Sequence, residues 1–577
     1  MNPPRAEGRD SASAATSVPL KFLLFVLLAV VVAFEVYSPA LKGPLVLDDL
    51  YMPFGRPDAP EWASRGPWVG GNRPLLQMSF WFNYKLSGPE TYSYHVVNVL
   101  LHCAVCVAAF FVLRRLLAWT GETGTRRDVA AGFAAGVYLL HPVHAEAVAY
   151  ITSRSDILST LFGLGALWFH SWRREREDGA SFVTVGVVVV LLAAALLSKE
   201  QAAALPAAFL LADYYFRPGF SLDPIRRNWR LHGLVALGGV AALAYVARVL
   251  STADTAGFGG GVGPHQYLVT QGKVIWLYLR LVVLPFGQNV DPDFPLASAG
   301  DPAGWAGLGA LACLTALAWW KRRSYPLASC GWLLFLALIA PTSSVVPIAD
   351  VVAERRLYFP FLGLLLIVAQ IVIGIARRGS LGRVASAGAM AAVLAAFGYL
   401  TSARAAVWGS ELALWTDAVE KSPKKMRPRF QLAHALYQSQ QCGPAAREYE
   451  EASRLAAPTS QLLVDWALAL DCAGRNADAV AKVEQALTIE RSAHIYATLG
   501  MFHGKAGRTD QALDALAKAE QADPRFAMTY AYRGNVYGAA GNWAQARQEF
   551  QRALALDPGN PAAAQGLAAA QQALGGR

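Results

Sequence analysis

The sequence predicts an all-α protein in which a polytopic helical membrane domain is followed by a soluble helical repeat. The 577 residues are 54% hydrophobic and only 16% charged, with a mean hydropathy of +0.31. Such a composition is too apolar for a surface that lies mostly in water. Charge density then rises near residue 404, because 57 charged residues fall in the first 404 positions and 35 in the last 173. We therefore expect a membrane domain over 1–404, a linker over 405–425 and a repeat domain over 426–577.

Eleven apolar runs in the first part approach the roughly 20 residues that a helix needs to cross a bilayer. They lie near 20–37, 96–118, 129–145, 157–172, 182–197, 201–216, 232–250, 304–320, 327–346, 358–376 and 384–403. The first run is interpreted as an anchor, because no clear signal-peptide cleavage site follows it. The shorter run 273–285 carries two basic residues and predicts an interfacial or re-entrant helix.

Basic residues predict the orientation of this domain. The N-terminus and the loops after the second, fourth, sixth, eighth and tenth runs hold 20 of the 33 Lys and Arg residues up to Arg404. Cytoplasmic loops are enriched in these residues, so we expect these segments in the cytoplasm and the C-terminal part outside. The pattern differs from the basic face of a nucleic-acid-binding protein. The sequence is rich in Arg, Ala and Gly, which favours a bacterial origin. We therefore expect the protein in the bacterial inner membrane, with the repeats in the periplasm.

The part after Arg404 repeats with a period of 34 residues, which is the tetratricopeptide period. The clearest copy holds Tyr530, Gly534, Tyr537, Ala546, Phe550, Ala553 and Pro558. Three earlier copies place similar residues at the same spacing, and small side chains there let paired helices pack closely. We expect four repeats, closed by an end helix over 561–574, that form a groove for a polypeptide.

Six cysteines stand at positions 103, 106, 313, 330, 442 and 472. Their spacing is not that of metal ligands, and four of them lie in apolar runs. We interpret all six as packing residues in spans and helices.

The first loop expected on the outer side carries the adjacent acids Asp48 and Asp49. Neighbouring carboxylates that are partly desolvated raise each other's pKa, which suits one of them to act as a general base. The alternative is that they only cap a short amphipathic helix. Arg73 follows before an aromatic stretch. His95 shares one face of the second span with two other polar residues, where packing and a role in the site are both open.

The second outer loop reads HPVHAEAVAYITSRSD and includes His141, His144, Glu146 and Arg154. A short helix from His144 would place Glu146, Tyr150 and Arg154 at successive i+4 positions on one face. The two histidines and Glu146 could ligate a metal, yet H-P-V-H lacks the i, i+4 spacing of helical histidine pairs. We therefore favour a polar cluster that positions substrate, with Asp156 as the N-cap of the next span.

Two further outer loops carry charged residues. In the segment SKEQ, Ser198 and Gln201 fit a capping box, which leaves Lys199 and Glu200 without a local explanation. The aspartates between 291 and 301 have a spacing that suits turns, which we favour, or a calcium-binding loop.

The last outer loop, AERRLYFP, places Glu354, Arg355 and Arg356 at the outer end of a span. Two arginines at this depth can reach lipid phosphate along the membrane surface. They can equally clamp the phosphate of a lipid-linked substrate, whose geometry a guanidinium group matches. Sequence chemistry leaves both interpretations open.

These motifs together resemble a known family. The Asp48–Asp49 loop is followed by NRPLLQMSFWFNYKLSG, YHVVNVLLH, HPVHAEAVAYITSRSD, SKEQ, AERRLYFP and the repeats. This order resembles the transmembrane and tetratricopeptide-repeat O-mannosyltransferase family and its bacterial relatives. The resemblance implies a GT-C fold, in which a many-span helical enzyme takes a sugar from a polyprenyl phosphate. It also implies inverting transfer to a protein Ser or Thr hydroxyl on the periplasmic side, with the repeats holding the acceptor.

The resemblance further implies roles for single residues. One of the two first-loop acids would be the general base. Arg355 or Arg356 would bind the donor phosphate, with help from Lys199 and Arg154. Residues that would position substrate are His141, His144, Glu146, Glu354, Arg73 and His95. No metal ligand is assigned, although a divalent ion remains an option.

Two alternatives stay open at this stage. The chain would otherwise be a non-catalytic membrane-anchored repeat scaffold for envelope proteins, or a glycosyltransferase acting on a glycan or a lipid. A transporter is disfavoured, because the polar residues gather at the outer ends of the spans. Eleven spans with charged outer motifs also exceed what a bare anchor needs.

Overall fold

A computed structural model describes residues 20–55, 71–175, 180–216, 218–252, 262–378 and 382–575. The chain forms two compact units, Met1–Ala413 and Leu414–Arg577. The division falls within the segment that was expected as a linker, and this segment contains a helix, Glu411–Lys421. No β-strand forms within the ranges just given, so the all-α fold class is confirmed. The basic N-terminal residues Arg5 and Arg9 lie outside the described residues.

The first unit is built of helices, and those of ten or more residues are numbered here in chain order. They are α1 (Leu20–Tyr37), α2 (Pro74–Ser87), α3 (Thr91–Trp119), α4 (Gly124–Leu140), α5 (Arg154–Arg174), α6 (Phe182–Ser198), α7 (Pro206–Tyr215), α8 (Trp229–Thr252), α9 (Pro264–Val283), α10 (Pro302–Trp320), α11 (Pro326–Ile339), α12 (Phe361–Arg378) and α13 (Arg383–Val407). Each predicted apolar run overlaps one of them. Helix α7 has only 10 residues, which cover about half a bilayer at about 1.5 Å per residue.

Several of these helices have the length and apolarity to cross a membrane. Five in the described part of the chain do so, at Phe22–Ala40, Thr91–Trp119, Trp229–Arg248, Pro302–Trp320 and Val384–Val407. Three shorter apolar helices are Phe182–Ser198, Pro326–Ile339 and Phe361–Arg377. Many of their large hydrophobic side chains are exposed, as lipid-facing side chains would be. The unit fits a membrane-embedded protein, whereas the number of spans and their orientation stay predictions.

Helices α11 and α12 approach each other closely at two glycines. A Cβ atom added at Gly331 would lie 2.3 Å from the carbonyl oxygen of Gly363. Only a residue without a side chain permits this contact, and such small-residue contacts are typical of helix pairs in membranes.

One end of the first unit is organised by a buried carboxylate, Asp213. It accepts hydrogen bonds from His170 at 3.0 Å, His232 at 2.9 Å and Asn228 at 2.8 Å, and Arg174 lies 2.8 Å away. A buried charge needs such partners. The ends of α5 and α7 and the start of α8 therefore meet here, at the end whose loops were predicted to be cytoplasmic.

Aromatic and basic side chains pair at this same end. The closest pairs, by distance from the cation to the ring centroid, are Lys321 with Trp320 (4.2 Å), Arg322 with Trp319 (4.3 Å), Arg230 with Phe182 (4.9 Å) and Arg174 with Trp119 (5.0 Å). Tryptophan and snorkelling basic residues are both characteristic of the membrane–water interface.

The second unit contains four helical pairs and a closing helix, as the period predicted. Its helices, with the one that precedes them, are α14 (Glu411–Lys421), α15 (Met426–Gln438), α16 (Cys442–Leu455), α17 (Ser460–Cys472), α18 (Asn476–Ile489), α19 (Ala493–Lys505), α20 (Thr509–Ala522), α21 (Ala527–Ala539), α22 (Trp543–Leu556) and α23 (Pro561–Gly575). Small residues bring the pairs together, since a Cβ at Gly534 would meet the Phe550 ring at 2.7 Å.

Two of the six cysteines are paired in this unit. Cys442 at the start of α16 and Cys472 at the end of α17 form a disulfide, with their Cα atoms 5.6 Å apart. The prediction that all six are packing residues is wrong for this pair and for Cys313, which is exposed. It holds for the three remaining cysteines, which are buried.

Candidate active site

The two first-loop acids take different positions in a short 3-10 helix, Leu47–Tyr51. Asp49 is buried, with 1% of its surface exposed. Its Oδ1 accepts the backbone N–H of Thr152 at 2.9 Å and its Oδ2 accepts that of Val46 at 3.3 Å. Burial raises the pKa of Asp49 to about 7 although both hydrogen bonds lower it. This carboxylate therefore anchors the first outer loop to the second.

Asp48 is exposed, and its backbone N–H donates to the hydroxyl of Tyr150 at 2.8 Å. Its carboxylate accepts no hydrogen bond from any residue that the structure describes. The alternative of helix capping is right only for Asp49: Val46 holds the N-cap position, and the Asp49 carboxylate at N3 accepts the backbone N–H of Val46. Of the two acids, only Asp48 has a carboxylate that is free to act on a substrate.

Arg355 lies beside the same loop. Its backbone N–H donates to Oε2 of Glu146 at 3.1 Å, and its guanidinium group donates to Oε1 at 2.5 Å. The guanidinium carbon is 5.6 Å from the centroid of the Tyr150 ring, which stacks on Trp408 at 6.0 Å. Burial opposes the charge of Arg355, but Glu146 raises its pKa above the ordinary value.

Two more cations reach this region, and each has its own acid. The Lys199 Nζ atom is 2.5 Å from Oδ2 of Asp156. Arg73 donates to both oxygens of Glu200, at distances of 2.9 to 3.2 Å. Burial lowers the pKa of Lys199, and the opposing charge of Asp156 offsets part of this effect. Arg73 is the most accessible of these cations, with a side chain 39% exposed.

Two local predictions are wrong here. Asp156 is not an N-cap, since α5 begins at Arg154 and Ser153 holds the capping position. Ser198 and Gln201 form no capping box, because Ser198 is the last residue of α6 and donates to a carbonyl of its own helix. Gln201 instead donates to a carbonyl of α11. In both segments, tertiary contacts override the local pattern.

Arg154, expected near the donor phosphate, is completely buried between helices. Its guanidinium group donates to the side-chain oxygens of Asn98 at 2.7 Å and Asn83 at 2.9 Å, and to the carbonyl of Tyr94 at 3.0 Å. It also lies 4.6 Å from the centroid of the Phe80 ring. These contacts occupy its donors, so Arg154 joins α2, α3 and α5 and is not placed to bind a ligand.

Glu354 and Arg356 also hold protein structure together. Glu354 accepts hydrogen bonds from the side chain of Gln288 at 2.8 Å and from the backbone N–H of Asn289 at 2.7 Å. Its burial raises its pKa to about 7. Arg356 is buried and donates to the carbonyl groups of residues 350 and 351. Of the arginine pair in AERRLYFP, only Arg355 therefore faces the acids of the first two loops.

The histidines contact protein backbone or aromatic rings. His141 contacts the carbonyl of Val282 at 2.9 Å and accepts the N–H of Val143 at 3.2 Å. His95 contacts the carbonyl of Gly43 at 3.2 Å. Both rings thus fix loop backbone, which is a packing role.

His144 has no exposed surface, and neither of its ring nitrogens has a hydrogen-bond partner. Its ring lies among Tyr138 at 4.4 Å, Phe361 at 4.7 Å and Tyr358 at 5.0 Å between centroids. The short helix Ala145–Ala149 ends before it could align Glu146 with Arg154. In the described part of the chain, no group of three or more His, Cys, Asp or Glu residues could hold a metal ion.

The aspartates after α9 include one clear turn residue. Asp301 caps α10 by accepting the N–H of Ala303 at 2.9 Å, and its other oxygen is 2.7 Å from Nζ of Lys273. This arrangement matches the interpretation of turns that the spacing favoured.

The contacts join residues from all the predicted outer loops, including the one after α9, whose Gln288 and Asn289 donate to Glu354. Tyr150 connects the first loop with AERRLYFP, although sequence reasoning did not include it among the site residues. The i+4 spacing of Tyr150 from Glu146 was the available signal, but it relied on a helix that ends at Ala149 and does not identify an aromatic side chain as a bridge. The left-handed backbone of Leu47, with φ of +53°, was equally invisible in the sequence.

Known proteins match this chain in two ways, through a repeat family and through a group of transferases. Residues 527–560 match the family model described as tetratricopeptide repeat. Protein O-mannosyl-transferase Tmtc3 of Drosophila melanogaster is 24% identical over 456 residues, which cover 66% of this chain and 48% of the relative. Tmtc1 of the same organism is 39% identical over 125 residues, covering 21% of this chain and 13% of the relative. This chain thus spans at most about half the length of these curated relatives.

Among solved structures, the tetratricopeptide protein YrrB, whose title describes an unusual peptide-binding site, is 18% identical with a TM-score of 0.24. The match covers 33% of this chain and 94% of YrrB. The longer sequence matches are to proteins named O-mannosyl-transferases, and the C-terminal part matches a tetratricopeptide repeat. By these matches, the chain is similar to O-mannosyl-transferases of the Tmtc group along part of its length.

Proposed function

We propose that this chain is a membrane glycosyltransferase that moves a mannose-like sugar from a polyprenyl phosphate to a Ser or Thr hydroxyl of a protein. The observation that carries the proposal is the free carboxylate of Asp48, whose backbone N–H binds the hydroxyl of Tyr150, while the ring of the same tyrosine contacts the guanidinium group of Arg355. Tyr150 thereby connects Asp48, the base for the acceptor hydroxyl, with Arg355, the cation for the leaving phosphate. The similarity to proteins named O-mannosyl-transferases supports the same reaction.

In this reaction, Asp48 takes the proton of the acceptor hydroxyl as its oxygen attacks the anomeric carbon. The new C–O bond forms while the bond between the anomeric carbon and the phosphate oxygen breaks. The electron pair leaves with the lipid phosphate, whose charge nearby cations stabilise. A single displacement of this kind inverts the anomeric centre.

We propose that the donor phosphate binds to Arg355, Lys199 and Arg73. Each of these cations has a carboxylate partner, so a phosphate would compete with Glu146, Asp156 or Glu200 for its hydrogen bonds. Arg154 and Arg356 are removed from this set because their donors bind protein atoms. The mechanism needs no metal ion, since the polyprenyl phosphate is already a good leaving group.

The remaining site residues receive supporting roles. Glu146 orients Arg355, while Glu354, His141 and His95 hold the loops around it. His144 fills the aromatic layer beneath. None of these five supporting residues needs to touch the sugar.

We further propose a bacterial inner membrane as the location, with the site and the repeats facing the periplasm. The pairs of basic and aromatic side chains around Asp213 suit the cytoplasmic interface, where Lys and Arg are favoured. The candidate site is built from the alternate set of loops. The repeats would hold the acceptor polypeptide, while membrane lipid surrounds the first unit.

The test is transfer by the full chain in proteoliposomes, with polyprenyl-phosphate mannose and a peptide rich in Ser and Thr. We expect Asp48→Asn to lower the rate by about 10²- to 10⁴-fold, because the base is lost. Asp223→Asn is the matched control, since this exposed aspartate lies near Arg226 at the opposite end. Unchanged transfer by Asp48→Asn would overturn the assignment of the base.

Wild-type protein is also tested with glycan and lipid acceptors in the same vesicles. Transfer only to one of these would replace the protein acceptor with that class. Absence of transfer to every acceptor would contradict the enzyme and support a repeat scaffold.

A further inference from the structure

The backbone immediately before Asp48 is strained. Leu47 has a φ of +53°, in the left-handed region that a bulky side chain rarely adopts. Such a conformation costs about 1 to 3 kcal/mol and persists only where its surroundings impose it. Strain of this kind is concentrated at functional sites, and here it directly precedes Asp48.

Three hydrogen bonds impose this conformation. Asp49 accepts the N–H of Val46 on one side of the turn and that of Thr152 on the other. Tyr150 accepts the N–H of Asp48 at 2.8 Å. Two of these three bonds come from one segment, so the second outer loop holds the first in its strained form.

The same segment also holds the cation. Glu146 binds the backbone and the guanidinium group of Arg355, and the ring of Tyr150 lies beneath that group. Tyr150 is 2% exposed and rests on Trp408, so its ring has little freedom to move. The hydroxyl of Tyr150 therefore contacts Asp48 and its ring contacts Arg355, and the rigid side chain fixes the separation of these two contacts.

We propose that Tyr150 is a positioning residue that sets the distance between the base Asp48 and the phosphate ligand Arg355. The proposal rests on the proposed function for its kinetic consequences, but its structural part does not. The hydroxyl fixes Asp48 through its backbone N–H. The ring supports Arg355 through a cation–π contact.

Two substitutions separate the two contacts. Tyr150→Phe keeps the ring and removes the hydroxyl, so kcat is expected to fall by about 10- to 100-fold, while KM for the donor stays within about twofold. Tyr150→Leu removes the ring as well, and KM for the donor is then expected to rise by about 5- to 30-fold.

The matched control is Tyr215→Phe. Tyr215 is also 2% exposed, and its hydroxyl bonds to Ser329 at 2.8 Å in α11, near the opposite end of the unit. Loss of a buried tyrosine hydroxyl is therefore similar in both variants. We expect Tyr215→Phe to change thermal stability as Tyr150→Phe does and to leave kcat and KM unchanged.

A second measurement does not depend on activity. Hydrogen–deuterium exchange of the peptide that covers 45–52 should be faster in Tyr150→Phe than in wild type, because the N–H of Asp48 loses its acceptor. Tyr215→Phe should leave exchange in this peptide unchanged.

The outcomes distinguish this proposal from the proposed function. Unchanged exchange in Tyr150→Phe overturns the positioning role whether or not the protein is active. Faster exchange with unchanged kcat also overturns it. An inactive wild type with faster exchange in the variant contradicts the glycosyltransferase, while the structural link through Tyr150 stands.

Discussion

The candidate site and the repeat unit are both built of helices, yet they are held together in different ways. In the repeat unit the same small and aromatic residues recur in each helical pair, as with Gly534 against Phe550. Among the described residues of the site, every charged side chain except Asp48 has a particular partner, as with Arg355 and Glu146. A repeated apolar contact spreads stability over many positions, whereas a single buried ion pair depends on both of its members.

The largest effect on stability is expected at Arg154, a buried charge with particular partners. Arg154→Met leaves the acceptors on Asn98, Asn83 and Tyr94 without a donor inside the protein, and we expect a loss of about 3 kcal/mol or more in unfolding free energy. Thermal unfolding in detergent measures this loss of stability. Arg226→Met is the control, because that side chain is 77% exposed, and equal stability of the two variants would contradict the buried network.

A smaller effect is expected in the repeat unit. Gly500→Ala would place a Cβ atom 2.6 Å from Leu516, and overpacking of this kind costs about 1 to 3 kcal/mol. Gly443→Ala meets nothing within 4 Å and should cost nothing or stabilise α16 slightly. Chemical denaturation of the whole chain, followed at the repeat unit, compares the two. Equal midpoints would show that close packing at Gly500 is not required.

A third effect concerns pH. Because the pKa of Asp49 is raised from 3.8 to about 7, the folded chain binds a proton more tightly than the unfolded chain. Its contribution to stability is therefore complete below about pH 4 and is lost as the pH rises through 7. Asp49→Asn lacks this titration, so the melting temperature of the variant relative to wild type should increase from pH 4 to pH 7. A constant difference would contradict the raised pKa.

The sequence predicted much of the fold because period and hydropathy act over many residues. The repeat spacing gave the helical pairs, and each apolar run overlaps a helix. It also predicted that Asp48, Lys199 and Arg355 lie in loops on one side. It could not distinguish Asp48 from Asp49, or Arg355 from Arg356, because neighbours with the same chemistry differ only in what surrounds them after folding.

Arg154 also shows that the sequence does not predict what surrounds a charged residue after folding. Its place in a polar motif suggested a ligand-binding cation, yet the structure surrounds it with two asparagines and aromatic rings from α2 and α3. The two asparagines are 56 and 71 residues away in the chain. No local pattern carries that information, and only the tertiary fold supplies it.

The bond between Cys442 and Cys472 has a consequence for where the repeat unit is. Cytosolic thiols are kept reduced, whereas disulfides form and persist in oxidising compartments such as the periplasm. The thiol state of these two cysteines in cells therefore reports the compartment directly. An oxidised pair would place α16 and α17 outside the cytoplasm without any reference to hydropathy or to the distribution of basic residues.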